Sequence, residues 1–152
     1  MKKIVLALLV LCWSFASCQD KTDSLPVLNS SVNDFEGIFE PEQEATLKES
    51  IEDFYKKTGI RITVVAVSAI EPYDNIFNFS LDLANKSNRG KILICVSHSL
   101  RQIQIQNHDE ILETLTNEET KTILENFIIP KFKEGDYLNG VLNGITEIKK
   151  EF

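Results

Sequence analysis

The sequence predicts an α/β domain: a three-layer α/β/α sandwich around a small mixed, mostly parallel sheet that ends in a hairpin. Three observations predict it. Helix-period and strand-like segments alternate along the chain. "IRITVVAV" and "KILICVS" are apolar on both faces, as in parallel strands covered on both sides. "RQIQIQ" alternates strictly and follows "KILICVS" after a short turn, so it reads as a returning strand at the sheet edge.

Each element has its own justification. A short strand is expected near Val32. "FEPEQEATLKESIEDFYKKTG" is a helix punctuated at both ends. Pro41 suits its first turn, acidic residues crowd its N-terminal half, Lys56 and Lys57 occupy the last turn, and Gly59 stops it. Leu47, Ile51, Phe54 and Tyr55 mark its buried face. The strand "IRITVVAV" follows. A second helix covers Asn75 to Lys86, with Ile76, Phe79 and Leu83, and Phe77 beside them, turned inward; "SNRG" breaks it.

After the hairpin, whose last strand puts Ile103 and Ile105 on one face, Thr116 and Glu119 form a capping box for a third helix. Ile123, Leu124, Phe127 and Ile128 are its apolar residues, and Pro130 is expected to end it. The chain turns at Gly135, and Asp136 caps a last helix striped by Leu138, Val141, Leu142, Ile145 and Ile148.

The first residues differ in kind. "MKK" is a positive n-region, Ile4 to Leu11 is nearly continuous in apolar residues, and small residues lead to Cys18. Residues 1–17 therefore read as a signal peptide, too short to span a bilayer stably. "FASC" resembles a bacterial lipobox, with Phe15 a mild departure, which implies lipidation of Cys18 and a membrane anchor. Residues 18–30 are then the lipidated cysteine and a polar tether, "QDKTDSLPVLN" with Pro26 inside, and residues 31–152 are the domain.

Charge and cysteines bound the partners. The 152 residues carry 16 basic and 23 acidic side chains, a net charge of −7, which disfavours a nucleic-acid partner. Loss of Lys2 and Lys3 with the signal leaves 14 basic residues and a charge of −9. Such a body is repelled by an acidic membrane surface and stands off on its tether. With Cys12 removed and Cys18 capped, only Cys95 remains, so no intrachain disulfide is expected. Cys95 lies inside an apolar strand and reads as a small core residue.

Three motifs occur in order. "VNDFEGIF" carries a Val, an Asp two residues later and a Gly. "TGIRITVVAV" opens with Thr58 and Gly59. "IIPKFKEGDYLNGVLNGI" holds Pro130, Phe132, Gly135, Asp136, Tyr137, Gly140 and Gly144. Together they resemble the TPM domain family over roughly Val32 to Phe152. The resemblance implies an α/β/α fold and an exported or membrane-tethered protein. The family includes thylakoid proteins of photosystem II repair, some described as acid phosphatases, and bacterial proteins that bind calcium.

In that family the edge strand runs into a Gly-x-Gly-Leu-Glu turn followed by an Asp before the third helix. Here His108 and Glu110 fall at the glycines, Leu112 at the glutamate and Asn117 at the aspartate; a one-residue slip brings Glu113 to the glutamate position. Asp34 alone matches the family's acidic positions outright. Calcium takes six to eight oxygens, so a divalent site for calcium or magnesium would need Asp34, Asp109, Glu110, Glu113 and Asn117 to converge. The alternative is structural: Asp34 stabilising a turn, Asp109 and Glu110 solvating a loop, Glu119 capping a helix.

No catalytic residue is assigned. His108 beside Asp109 is a weak general-base signal, and His98 belongs to an exposed hairpin turn. No Gly-flanked serine, phosphate-cradling glycine loop or zinc spacing occurs. The expected function is a lipid-anchored, non-catalytic accessory module for an envelope or membrane protein, located in the periplasm or at the cell surface. The rivals are a metal-dependent phosphatase and a weak calcium-binding domain.

Overall fold

The computed structural model describes residues 21–152, so the expected signal peptide and Cys18 lie outside the described residues. Four strands, β1 (Val32–Asp34), β2 (Ile62–Ala66), β3 (Ile92–Ser97) and β4 (Gln102–Asn107), form one sheet in the order β1-β2-β3-β4. The first three run parallel and β4 returns antiparallel as the hairpin strand. All of β2 and β3 is buried, whereas β4 at the edge has a half-polar face. The α/β class and the sheet's mixed character are as the sequence predicts.

Helices cover both faces. Helix α1 (Pro41–Thr58) begins with a capping box between Glu40 and Gln43 and ends at Gly59. Gly59 adopts φ 73°, a left-handed conformation that glycine enters without steric cost. Helix α1, α3 (Asn117–Ile123), α4 (Ile129–Lys133) and α5 (Tyr137–Ile148) pack on one face, with Phe54, Ile94, Ile128 and Ile145 central to that core. Helix α2 (Ile76–Ser87), capped by the Asn75 side chain, lies on the other. Phe77, expected inward, is 51% exposed, because Ile76, Phe79 and Leu83 already fill the inner face of α2.

One short helix cannot cover four strands. The segment before β1 completes the second core: Leu25 and Leu28 are buried with Val65, Leu93, Cys95 and Phe79. Asn33 fastens that segment, accepting the N–H groups of Asn29 and Ser30 and donating to the Ser30 carbonyl. Sequence reading places these residues in a solvated tether; packed structure instead begins by Leu25. Cys95 sits in this core, and burial pushes its thiol pKa up to about 12, as befits an inert core residue.

Pro130 does not end the third helix. A π-helical turn (Leu124–Ile128) joins α3 to α4, and the Ile129 N–H reaches the Leu124 carbonyl. In a regular helix the Pro130 ring would strike the carbonyl four residues back; the wider turn moves that carbonyl aside, and the helix continues to Lys133. Helix α5 lies close against this turn. A Cβ at Gly140 would stand 2.5 Å from the Phe132 ring, and one at Gly144 would stand 2.5 Å from Ile128. Among the described residues no helix is long and apolar enough to cross a membrane.

Candidate functional site

The parallel strands end together, and the loops beyond their carboxyl ends are where open α/β sheets place ligands. Asp34 closes β1. Its Oδ1 accepts the N–H groups of Glu36 at 3.2 Å and Gly37 at 2.7 Å, and its Oδ2 accepts that of Phe39 at 2.8 Å. The carboxylate thus forms the turn into α1, with Gly37 at φ 74°.

Glu36 extends the same structure across the sheet. Its side chain is only 5% exposed, and its oxygens accept the N–H groups of His98 at 2.9 Å and Ser99 at 2.7 Å. One carboxylate therefore pins the β3–β4 turn to the β1–α1 loop. The turn closes with the Arg101 N–H donating to the His98 carbonyl. Arg101 takes φ 53°, a left-handed conformation that costs an ordinary residue about 1 kcal/mol.

Against this turn stands the α4–α5 connection. The Tyr137 ring meets His98 edge-on at 5.2 Å and Phe132 at 4.8 Å. The Asp136 carboxylate caps α5, accepting from the Asn139 side-chain amide and then its N–H, and these bonds, the side-chain one foremost, hold its pKa below the usual carboxylate range. Between turn and connection lies a groove of about 800 Å³, whose lining includes His98, Arg101, Ile103, Phe132, Lys133 and Tyr137.

The other sheet end holds the acidic loop. Asp109–Ile111 is a single 3-10 turn; the His108 Nδ1 caps it by accepting the Glu110 N–H at 3.3 Å. Glu110 pairs with Lys91 at 2.7 Å, and the Lys91 hydrogen bond is the main cause of its lowered pKa. Asp109, Glu113 and Asn117 are exposed, Asn117 being the first residue of α3. Thr116 and Glu119 make the expected capping box, and the Thr116 N–H heads the causes that lower the Glu119 pKa.

The structure does not bring the five expected ligands together. Asp34 is in register with Ala66, Val96 and finally Ile103, whereas the acidic loop begins beyond Asn107, four residues further along β4. Three strand spacings and four residue rises separate Asp34 from that loop by about 20 Å. Because β4 is antiparallel, it carries the chain back to the starting end of the parallel strands. Among the described residues no three His, Cys, Asp or Glu side chains are grouped to hold one ion. Just before the acidic loop, Asn107 Oδ1 is the one buried side-chain oxygen among the described residues without a hydrogen-bond partner. One neutral oxygen and scattered exposed acids do not fit the six to eight oxygens of a calcium cage. His98 is exposed, as expected.

Sequence reading missed Glu36, Arg101, Lys133 and the Phe132–Tyr137 pair as site elements. A cation following the turn residues "SHSL" was a readable signal for Arg101. Glu36 gave none, because its partners lie 62 and 63 residues away.

Comparison with known proteins agrees with this architecture. No curated protein matches the sequence. The N-terminal domain of a protein from P. gingivalis, solved by NMR, superposes with a TM-score of 0.74 at 19% identity, covering 87% of this chain and 90% of its own. The BA42 protein of the psychrophilic bacterium Bizionia argentinensis gives 0.67 at 22% identity, covering 77% and 83%. The N-terminal domain of the cg2496 protein from Corynebacterium glutamicum gives 0.64 at 16%, covering 82% and 86%. These likenesses establish the fold. A family model described as the TPM domain matches residues 32–151, and the chain belongs to the TPM domain family.

Proposed function

We propose that this TPM domain is a non-catalytic binding module, exported and held at a membrane by lipid on Cys18, that docks on an envelope or membrane protein. The observation carrying this reading is the engagement of Asp34: three backbone N–H groups occupy its two oxygens. A carboxylate held this way serves poorly as a nucleophile or an open metal ligand. The His108 Nδ1 is likewise engaged, accepting the Glu110 N–H to cap a turn. The packing of Leu25 shortens the tether. From Cys18 to Leu25 the chain reaches at most about 25 Å when fully extended. The domain therefore works close to the surface that anchors it, within reach of a membrane protein's loops.

The test uses the full chain. Hydrolysis of p-nitrophenyl phosphate with calcium or magnesium should stay at background in the wild type and in Asp34→Asn. Turnover that Asp34→Asn abolishes in a folded protein would overturn the non-catalytic reading. Calcium at millimolar concentration should leave the melting temperature within a degree, since only ions that bind the folded state raise it. Cys18→Ala should move the protein from the membrane to the soluble fraction; continued membrane association would refute the lipid anchor.

A further inference from the structure

We propose that the groove between the β3–β4 turn and the α4–α5 connection binds an extended acidic peptide segment of the partner, which adds to the free edge of β4 at Ile103. This deepens the binding-module reading and rests on it.

Charge selects the occupant. The chain carries 23 acidic and 16 basic residues, yet the groove lining includes His98, Arg101 and Lys133 and no Asp or Glu. Among the described residues neither Arg101 nor Lys133 has an ion-pair partner. The carboxylates on the elements flanking the groove are already engaged: Glu36 by the His98 and Ser99 N–H groups, Glu134 by Lys131, and Asp136 by Asn139. At physiological salt the net negative charge of the chain is screened beyond about 8 Å, so the cations in the groove dominate the local field. A planar guanidinium and a neighbouring ammonium suit carboxylates.

Shape and backbone select an extended chain. The groove, at about 800 Å³, is far larger than a lone phosphate requires, and Ile103, Ile129, Phe132 and Tyr137 give it an apolar wall. The Val96 carbonyl accepts the Val67 N–H across β2–β3, so the Val96–Ile103 pair is not hydrogen-bonded. Ile103 therefore turns its own N–H and carbonyl toward the free edge. Two residues on, the Gln104 side-chain amide covers the Ile105 carbonyl at 2.9 Å. The edge is blunted there and left open beside the groove, which is the geometry of strand addition with side-chain pockets alongside.

The experiment titrates the isotope-labelled full chain with a seven-residue peptide alternating aspartate and phenylalanine, followed by backbone amide NMR. Resonances of Arg101, Ile103 and Lys133 should move, and those of residues 108–117 should not. Replacing the aspartates by asparagines, or using the Arg101→Gly/Lys133→Gln variant, should weaken binding at least tenfold. Glycine is at ease at the Arg101 φ, so an unchanged or higher melting temperature verifies that the variant folds. Equal affinity for the asparagine peptide, an unaffected variant, or no peptide binding would overturn the proposal. Displacement of the peptide by equimolar inorganic phosphate would also overturn it, in favour of a small-anion site. These outcomes leave the binding-module reading intact, because that reading falls on phosphatase turnover, measured separately.

Discussion

The two ends of the sheet use carboxylates in opposite ways. At the carboxyl end of the parallel strands, Asp34 and Glu36 face inward and together accept five backbone N–H groups. At the other end, Asp109, Glu110 and Glu113 face water, and the one close ion pair, with Lys91, is largely exposed. The acidic loop is the more conspicuous in sequence, but density of charge there reflects solvation. Two acids embedded among apolar residues shape the end of the molecule that carries the groove. What matters is where the oxygens point, and backbone donors decide that.

Substitutions can break or sharpen this contrast. The largest effect is expected for Asp34→Ala, which leaves three loop N–H groups without their acceptor and should cost about 2–3 kcal/mol in urea unfolding. Glu36→Ala should cost about 1–2 kcal/mol and speed amide exchange at His98 and Ser99, since it frees the hairpin turn. If either proved neutral, the inward end would not depend on its carboxylates.

The outward end should respond far less. Asp109→Asn with Glu113→Gln should change stability by no more than about 0.5 kcal/mol, because both side chains are exposed. A loss of several times that would mean the acidic loop does hold structure or a ligand. The smallest effect concerns pH. Glu110 and Glu119 have pKa values lowered by Lys91 and Thr116. Each contributes stability that is complete above the ordinary glutamate pKa and is lost as pH falls through the lowered folded value. Carboxyl carbon NMR titration should show both midpoints below those of unpaired glutamates; ordinary midpoints would refute the pairing.

Much of the fold was legible because its signals are local. The Thr116–Glu119 box, the Pro41 start and Gly59 stop, and the alternation of "RQIQIQ" each lie within one element and survive intact. The short N-terminal segment was not legible: Leu25 and Leu28 flank Pro26 without any period, and only the gap left by α2 gives them a place. Pro130 misled because a backbone irregularity, not a side chain, accommodates it. The candidate site was least legible. The separation of Asp34 from the acidic loop follows from the hairpin, which reverses direction, and that signal was present in the sequence. The pinning by Glu36 crosses more than sixty positions and left no local trace.

The π-helical turn has one further consequence. A wider turn that absorbs one extra residue sets everything downstream about 100° away from where a regular helix of the same length would put it. The azimuth of Phe132 and Lys133 is thus written into a miscount of the main chain. Transplanting those side chains onto a regular helix of another scaffold would leave them aimed at the wrong neighbour. Forcing the same residues, at unchanged length, into a regular helix should swing the same wall away while every residue that forms it is retained.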